Sequence, residues 1–205
     1  MNVKRLIAII FGGLLIGFFL GVLNVQVDYW MFVFLVFIAF VLFSYRDVRY
    51  MFLSRDVEKI EKYLQKKSVE PYYDFIVQLA NKNMGETKKA LEKLEQKWKK
   101  KERTAVFRAN YYLYMKDWKQ LKEEITFIPQ EEFKHYFLAA IAIEEKNESN
   151  FAHSIQHIRK DWMKLSLEAE KAKKEKNEVL AEQKQLDALR ATKGIQYYIL
   201  SKSFD

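Results

Sequence analysis

Met84-Gly85-Glu86-Thr87-Lys88-Lys89-Ala90-Leu91 can be laid over Met115-Lys116-Asp117-Trp118-Lys119-Gln120-Leu121 and over Glu148-Ser149-Asn150-Phe151-Ala152-His153-Ser154-Ile155. Thr87, Trp118 and Phe151 then share one position, with steps of 31 and 33 residues. Self-similarity at a period of roughly 20 to 50 residues is the mark of a stacked-repeat architecture, in which each unit buries its apolar face only against its neighbours. Working outward, the apolar spacing is helical: Leu53, Val57, Ile60 and Leu64 fall at steps of four, three and four. Ser68-Val69-Glu70-Pro71 breaks that run, and Pro71 suits the first turn of a new helix because its missing N–H is not needed there. Helices are expected over 71–82, 86–99, 103–115, 118–128, 130–146 and 149–162. Asn83-Met84-Gly85, Lys116-Asp117, Pro129 and Asn147-Glu148-Ser149 mark the turns. Connections this short force neighbouring helices to run antiparallel.

Composition agrees with an all-α reading. The 205 residues include no cysteine, which removes disulfides, thiolate metal sites and cysteine nucleophiles together. Six glycines and two prolines are too few to turn the corners of a many-stranded sandwich or barrel. Lys+Arg 35 against Asp+Glu 27 leaves a formal net charge of +8.

The first fifty residues read as a membrane anchor (1–50). Leu6 to Leu23 are all apolar or glycine, and at about 1.5 Å per residue such a run approaches the thickness of a bilayer core. Asn24, Gln26 and Asp28 interrupt it, and a second run, 29–45, carries Trp30 and Tyr45 near its ends, where aromatics suit the headgroup level. Two spans with a short connection make a transmembrane helical hairpin. Lys4 and Arg5 before it and Arg46, Arg49 and Arg55 after it place both termini in the cytoplasm by the positive-inside rule. Gly13, Gly17 and Gly21 form a flat strip on the first span. Packing against the phenylalanines of the second span is its ordinary use, and self-association or docking on another membrane protein is the alternative. The runs 6–23 and 29–45 contain no charged side chain, which argues against an ion or proton path.

Over about 71–162 the chain resembles a tetratricopeptide or tetratricopeptide-like helical repeat. Ala109, Tyr112 and Trp118 match the pattern in the middle unit, Gly85, Ala90 and Leu91 in the first, and Ile141, Ala142, Phe151 and Ser154 in the third. Departures are Arg108 and Leu121 in the middle unit and Gln78 and Asn81 in the first. The resemblance implies a helical domain over 51–162 that binds a peptide or protein segment in a concave groove. Its groove positions fall on Tyr72, Lys82, Arg103, Asn110, Tyr114 and Tyr136, with Arg103 and Asn110 holding a carboxylate or carbonyl and the tyrosines supplying flat contact area.

Beyond the repeats, 163–205 is expected to hold a long charged helix, running to about Lys193, and a short apolar helix over Ile195–Leu200 that caps the stack. A coiled-coil seam through Leu165, Ala172, Val179 and Leu186 is weakened by acidic residues at the companion positions.

No phosphate loop, nucleophile elbow or His-Glu-x-x-His motif is present. His153 and His157 stand four apart, a metal-ligand spacing, but without an accompanying acidic base, so no metal, cofactor or catalytic residue is expected. Lys97, Lys99, Lys100, Lys101 and Arg103 surround Trp98 in the densest basic cluster, for which anionic lipid is the first functional partner and nucleic acid the last. Two functions follow as expectations. One is a non-catalytic, membrane-tethered adaptor that recruits a protein partner. The other is a structural or regulatory subunit of a membrane complex, docking or self-associating through the glycine strip.

Overall fold

The computed structural model describes Gly12, Gly13, Gly17 and residues 29–204, and every element among the described residues is helical: eleven α-helices and one π-helical segment. The chain divides into two compact units, Met1–Arg49 and Tyr50–Asp205.

In the first unit, the expected span Leu6–Leu23, including Gly21, lies outside the described residues except for Gly12, Gly13 and Gly17, which are helical. Helix α1, Tyr29–Val48, contains the second expected run. Among the described residues no single helix is long and apolar enough to cross a membrane; Trp30–Leu42 and Ser44–Leu53 meet that test only together, bent by 41° at the break between them. The expected transmembrane hairpin is therefore not established by the described residues.

The second unit is built on a turn used four times. Helices α3 (Pro71–Ala80) and α4 (Met84–Lys97), α5 (Lys101–Met115) and α6 (Trp118–Ile125), α7 (Glu131–Glu144) and α8 (Glu148–Gln156), and α9 (Asp161–Lys174) and α10 (Glu178–Arg190) form four antiparallel hairpins. Each first helix is followed within two residues by a lysine in the left-handed region: Lys82, Lys116, Lys146 and Lys176, with φ of 58°, 55°, 55° and 62°. The next residue, Asn83, Asp117, Asn147 or Asn177, sends its N–H back 2.9 Å to the carbonyl five residues earlier, capturing a carbonyl that the helix end leaves unpaired. Its side chain then accepts the N–H three residues ahead and caps the second helix. Two residues thus close one helix and open the next.

These turns lie 34, 30 and 30 residues apart. They align Thr87, Leu121, Phe151 and Ala181, each four residues past its cap. Trp118 leaves that register: it opens α6 and is only partly buried, while Leu121 is fully buried. The expected long charged helix is likewise corrected. It is two helices, α9 and α10, reversing at Glu175-Lys176-Asn177, and together they make a fourth hairpin.

Cores join the hairpins in sequence. Phe75, Leu79, Ala90, Leu91 and Leu94 form one between α3 and α4, onto which Phe107 and Tyr114 of α5 pack. Ala105, Ala109, Leu121, Ile125, Phe137 and Ile141 link α5, α6 and α7. Ala139, Ile143, Met163 and Leu167 link α7 to α9, with Phe151 and Ile155 of α8 against them. Buried alanines bring these helices close, as in stacked repeats. The architecture is compatible with a helical-repeat fold.

Helix α2 (Val57–Lys66) precedes the hairpins, capped by Asp56, which accepts the Lys59 N–H at 3.0 Å. It does not continue from α1: the π-helical segment Arg49–Leu53 and the break at residues 54–56 intervene. Helix α11 (Gly194–Phe204) includes the short apolar helix expected at the end of the chain, but it packs back on α2 and α3 as well as on α10. Ile195 and the fully buried Tyr198 enter a core with Ile60, Tyr63, Leu64, Ile76, Val77 and Ala80. A polar cluster reinforces this contact. The Asn81 amide lies 2.7 Å from a Glu61 carboxylate oxygen and 3.3 Å from the Tyr198 hydroxyl, while Lys202 donates to Asn81 at 3.1 Å and pairs with Glu61 at 3.1 Å. Arg55 donates to the carbonyls of Thr192 (3.1 Å) and Arg190 (2.6 Å), capping the end of α10.

Gly194 sits where this return is tightest. Its φ is +63°, its N–H donates to Ser54 O at 2.6 Å, and a Cβ there would lie 2.0 Å from the Met51 carbonyl oxygen. Both the conformation and the space require glycine. Gly194→Ala should lower stability by at least about 3 kcal/mol, a fall of roughly 6–12 °C in the unfolding midpoint for a domain of this size, read by circular dichroism on the full chain in detergent. An unchanged midpoint would mean that α11 does not need this close approach.

Candidate functional site

Two of the residues expected at groove positions, Tyr114 and Tyr136, lie near each other on the first helices of neighbouring hairpins. Tyr114 on α5 and Tyr136 on α7 both interact electrostatically with Glu170 on α9. Loss of hydration, then Glu170, raises the Tyr114 phenol, and the same causes push Tyr136 up to about 12, with Ser166 of α9 acting in the opposite sense. Glu170 is open to solvent, yet surrounding protein strips enough water to raise its carboxyl; Lys174 opposes this and Glu144 adds to it. Three successive hairpins therefore contribute two phenols and a carboxylate to one place.

The other groove positions go elsewhere. Tyr72 is committed to packing: its ring meets Phe107 edge-on at 5.8 Å, and Phe107 in turn meets Phe75 at 5.3 Å and Trp98 at 5.7 Å. Asn110 turns its amide back onto the Val106 carbonyl at 2.8 Å. Arg103 is exposed on the first turn of α5, and Lys82 occupies a left-handed turn position. Glu170 and Ser166 escape the sequence reading because 163–193 looks like one projecting helix. The available signal is the Lys-Asn pair at 176–177, which repeats the pairs at 82–83 and 146–147.

Arg108, out of place in the repeat pattern, ties three helices together. Its Nε donates to Glu124 of α6 at 2.6 Å and its Nη1 to Glu95 of α4 at 3.1 Å and to Thr104 at 2.6 Å, while Nη2 reaches the Lys101 carbonyl at 3.1 Å. Burial alone would weaken its charge, but the two carboxylates outweigh that and raise its pKa. Its role is structural, holding the second hairpin to the first.

In the basic cluster, Lys97 pairs with Glu70 and the Lys101 ammonium lies 4.8 Å from the Phe127 ring centroid. Lys99, Lys100 and Arg103 are exposed around the α4–α5 connection, whose Trp98 packs inward. His153 and His157 meet a third histidine, His135, from α7. Among the described residues no three histidine, aspartate or glutamate side chains are arranged to hold a metal ion. Gly13 and Gly17 are helical, and a Cβ added at either meets nothing within 4 Å. No protein-family model, curated protein or solved structure matches the chain.

Two measurements test this account. Removing Arg108 strands Glu124, whose side chain is 14% exposed, so Arg108→Met should cost about 3 kcal/mol in denaturant unfolding, and adding Glu124→Leu should recover most of it. For Glu170 the folded pKa lies above the unfolded one, so its contribution to stability is present below the unfolded pKa and lost as pH rises through the folded value. Glu170→Gln should therefore raise the unfolding midpoint at pH 7 and leave it nearly unchanged at pH 4.

Proposed function

We propose that this protein is a membrane-tethered, non-catalytic adaptor whose helical-repeat domain, of tetratricopeptide-like design, holds a protein partner in the cytoplasm. The observation that carries the reading is α1. Trp30, Phe34, Phe37 and Leu42 are 75%, 60%, 61% and 70% exposed, and large apolar side chains project from every side of the helix. A helix apolar all round suits lipid or a protein interior, since water would penalise each of its faces. Together with the apolar run 6–23, this favours two helices in the bilayer with both termini cytoplasmic.

Partner binding is supported by the proximity of Tyr114, Tyr136 and Glu170. A carboxylate kept partly dehydrated costs stability, and such costs persist where function needs the group. A partner segment presenting Lys or Arg would add countercharge at Glu170 beyond that of Lys174 and lay its cationic group against the phenol rings. Tethering would raise the partner's effective concentration at the membrane without additional contacts.

The open faces of Gly13 and Gly17 favour a second reading, in which the chain is a structural or regulatory subunit docked through its membrane helices. Photoreactive residues placed separately at Glu170 and at Gly17 in the full-length protein in native membranes distinguish the two. Capture of one protein from Glu170, with the chain resisting alkaline extraction, is the expected result. Capture only from Gly17 would overturn the adaptor in favour of the subunit, and release by alkaline extraction would overturn the tether.

A further inference from the structure

All three histidines of the chain meet between α7 and α8. The His135 ring stacks on His157 with centroids 4.2 Å apart and planes 14° apart, and His153 lies 4.7 Å from His157 and 5.9 Å from His135. The His157 Nδ1 is 2.9 Å from the His153 carbonyl; since a carbonyl only accepts, that nitrogen carries a proton. The His135 Nδ1 is shielded from solvent and has no hydrogen-bond partner, and its Nε2 is 3.7 Å from Glu131. Neutral imidazoles tolerate this face-to-face contact, whereas two imidazolium rings at such distances repel strongly.

The groups bearing on His135 are His157, the residue that ends α8, His153 from α8 itself, and Glu131 and Lys134 from its own helix, of which only Glu131 is anionic. On the side of α9, the carboxylate of Glu132 is already engaged. It accepts the N–H groups of Arg159 and Lys160, each at 2.9 Å, and lies 3.4 Å from the Lys160 ammonium. One carboxylate can thus offset one added proton, and a second proton meets net repulsion. Helix α8 is also short and shallowly buried. It has nine residues, and Ser154 is its one buried side chain, with Phe151 and Ile155 only partly covered. Elements with so little buried surface open at low free-energy cost.

We propose that the three-histidine contact is an acid-sensitive latch: neutral rings hold α8 against α7, and proton uptake releases α8 and uncovers the apolar surface beneath it. The direction follows from linkage. Loss of hydration, then His157, holds the His135 pKa below its ordinary value, so the closed form binds protons less readily than the open one. Closure is complete above the ordinary histidine pKa of about 6.5 and weakens as pH falls through the lower value, by up to about tenfold per pH unit for each proton taken up.

The absence of native cysteine provides a direct probe. Ser154→Cys places one near-isosteric thiol beneath α8 in the full-length protein, studied in detergent with a chelator present. Labelling by a disulfide reagent active in acid, expressed relative to the urea-unfolded chain at the same pH, should rise at least tenfold from pH 7 to pH 5. The rise should shrink to twofold or less when His135→Gln is added, and likewise when His153→Gln and His157→Gln are added together. If His135→Gln fails to fold, the pair on α8 decides. A thiol at Thr104, buried in α5, should show no comparable rise. The latch is overturned by a flat profile at position 154, by an equal rise at position 104, or by an unchanged rise in the histidine variants.

Discussion

The helical domain depends on how the chain reverses direction. A lysine in the left-handed conformation costs roughly 1–2 kcal/mol relative to a relaxed residue, and the chain accepts that cost at Lys82, Lys116, Lys146 and Lys176. Offsetting terms are local. The following N–H recovers a carbonyl at the helix end, the Asn or Asp side chain caps the next helix, and a lysine near a helix C-terminus is favoured by the dipole. Because one dipeptide does all of this, the two helices of each hairpin are held antiparallel with almost no loop. Side-chain packing between hairpins then needs only small residues at the points of closest approach, which alanine supplies.

A second constraint turns a row of hairpins into a domain with a closed end. Helix α11 returns to α2 and α3, where Tyr198 fills the core and Asn81, Glu61 and Lys202 satisfy one another's polar groups. Burial pushes the Glu61 carboxyl up, and the donors from Asn81 and Lys202 outweigh it and hold the group below its usual range. This junction is also where the segment 50–54 is gripped, through Gly194 and Arg55. The chain entering the domain and the chain leaving it are thereby fastened to each other.

Within this frame the chemistry of the surface divides by hairpin. The second, third and fourth hairpins bring Tyr114, Tyr136 and Glu170 within electrostatic reach of one another, the first and second are bound through Arg108, and the third alone carries the histidines. The structural tie at Arg108 and the groups proposed for binding and for the latch thus lie on different residues. Arg108 lies in a partly buried network with both carboxylates supplied, whereas Glu170 and His135 are held in environments that disfavour their charged forms. Groups kept at such a disadvantage are candidates for work that the packing itself does not require.

Helix class and most hairpins were legible from the sequence, because apolar spacing and short turns act locally: Pro71 opens α3 and the turn at 116–117 falls where the sequence marks it, while the reversal expected at 147–149 lies at 145–147, with Glu148 already opening α8. The turn at 176–177 was not, since Lys-Glu-Lys-Asn contains no glycine or proline and each residue but the last is a good helix former. Missing it hid Glu170 and Ser166, and the same reliance on familiar breakers placed Trp118 three residues out of register with Thr87. What only the tertiary structure decided was which distant residues meet. Tyr198 with Ile60, His135 with His157, and Glu170 with Tyr114 are joined by helix packing over separations that no local pattern encodes. Periodicity determines that a helix forms and which face is apolar, whereas the position of that helix depends on the complementary surfaces of all the others.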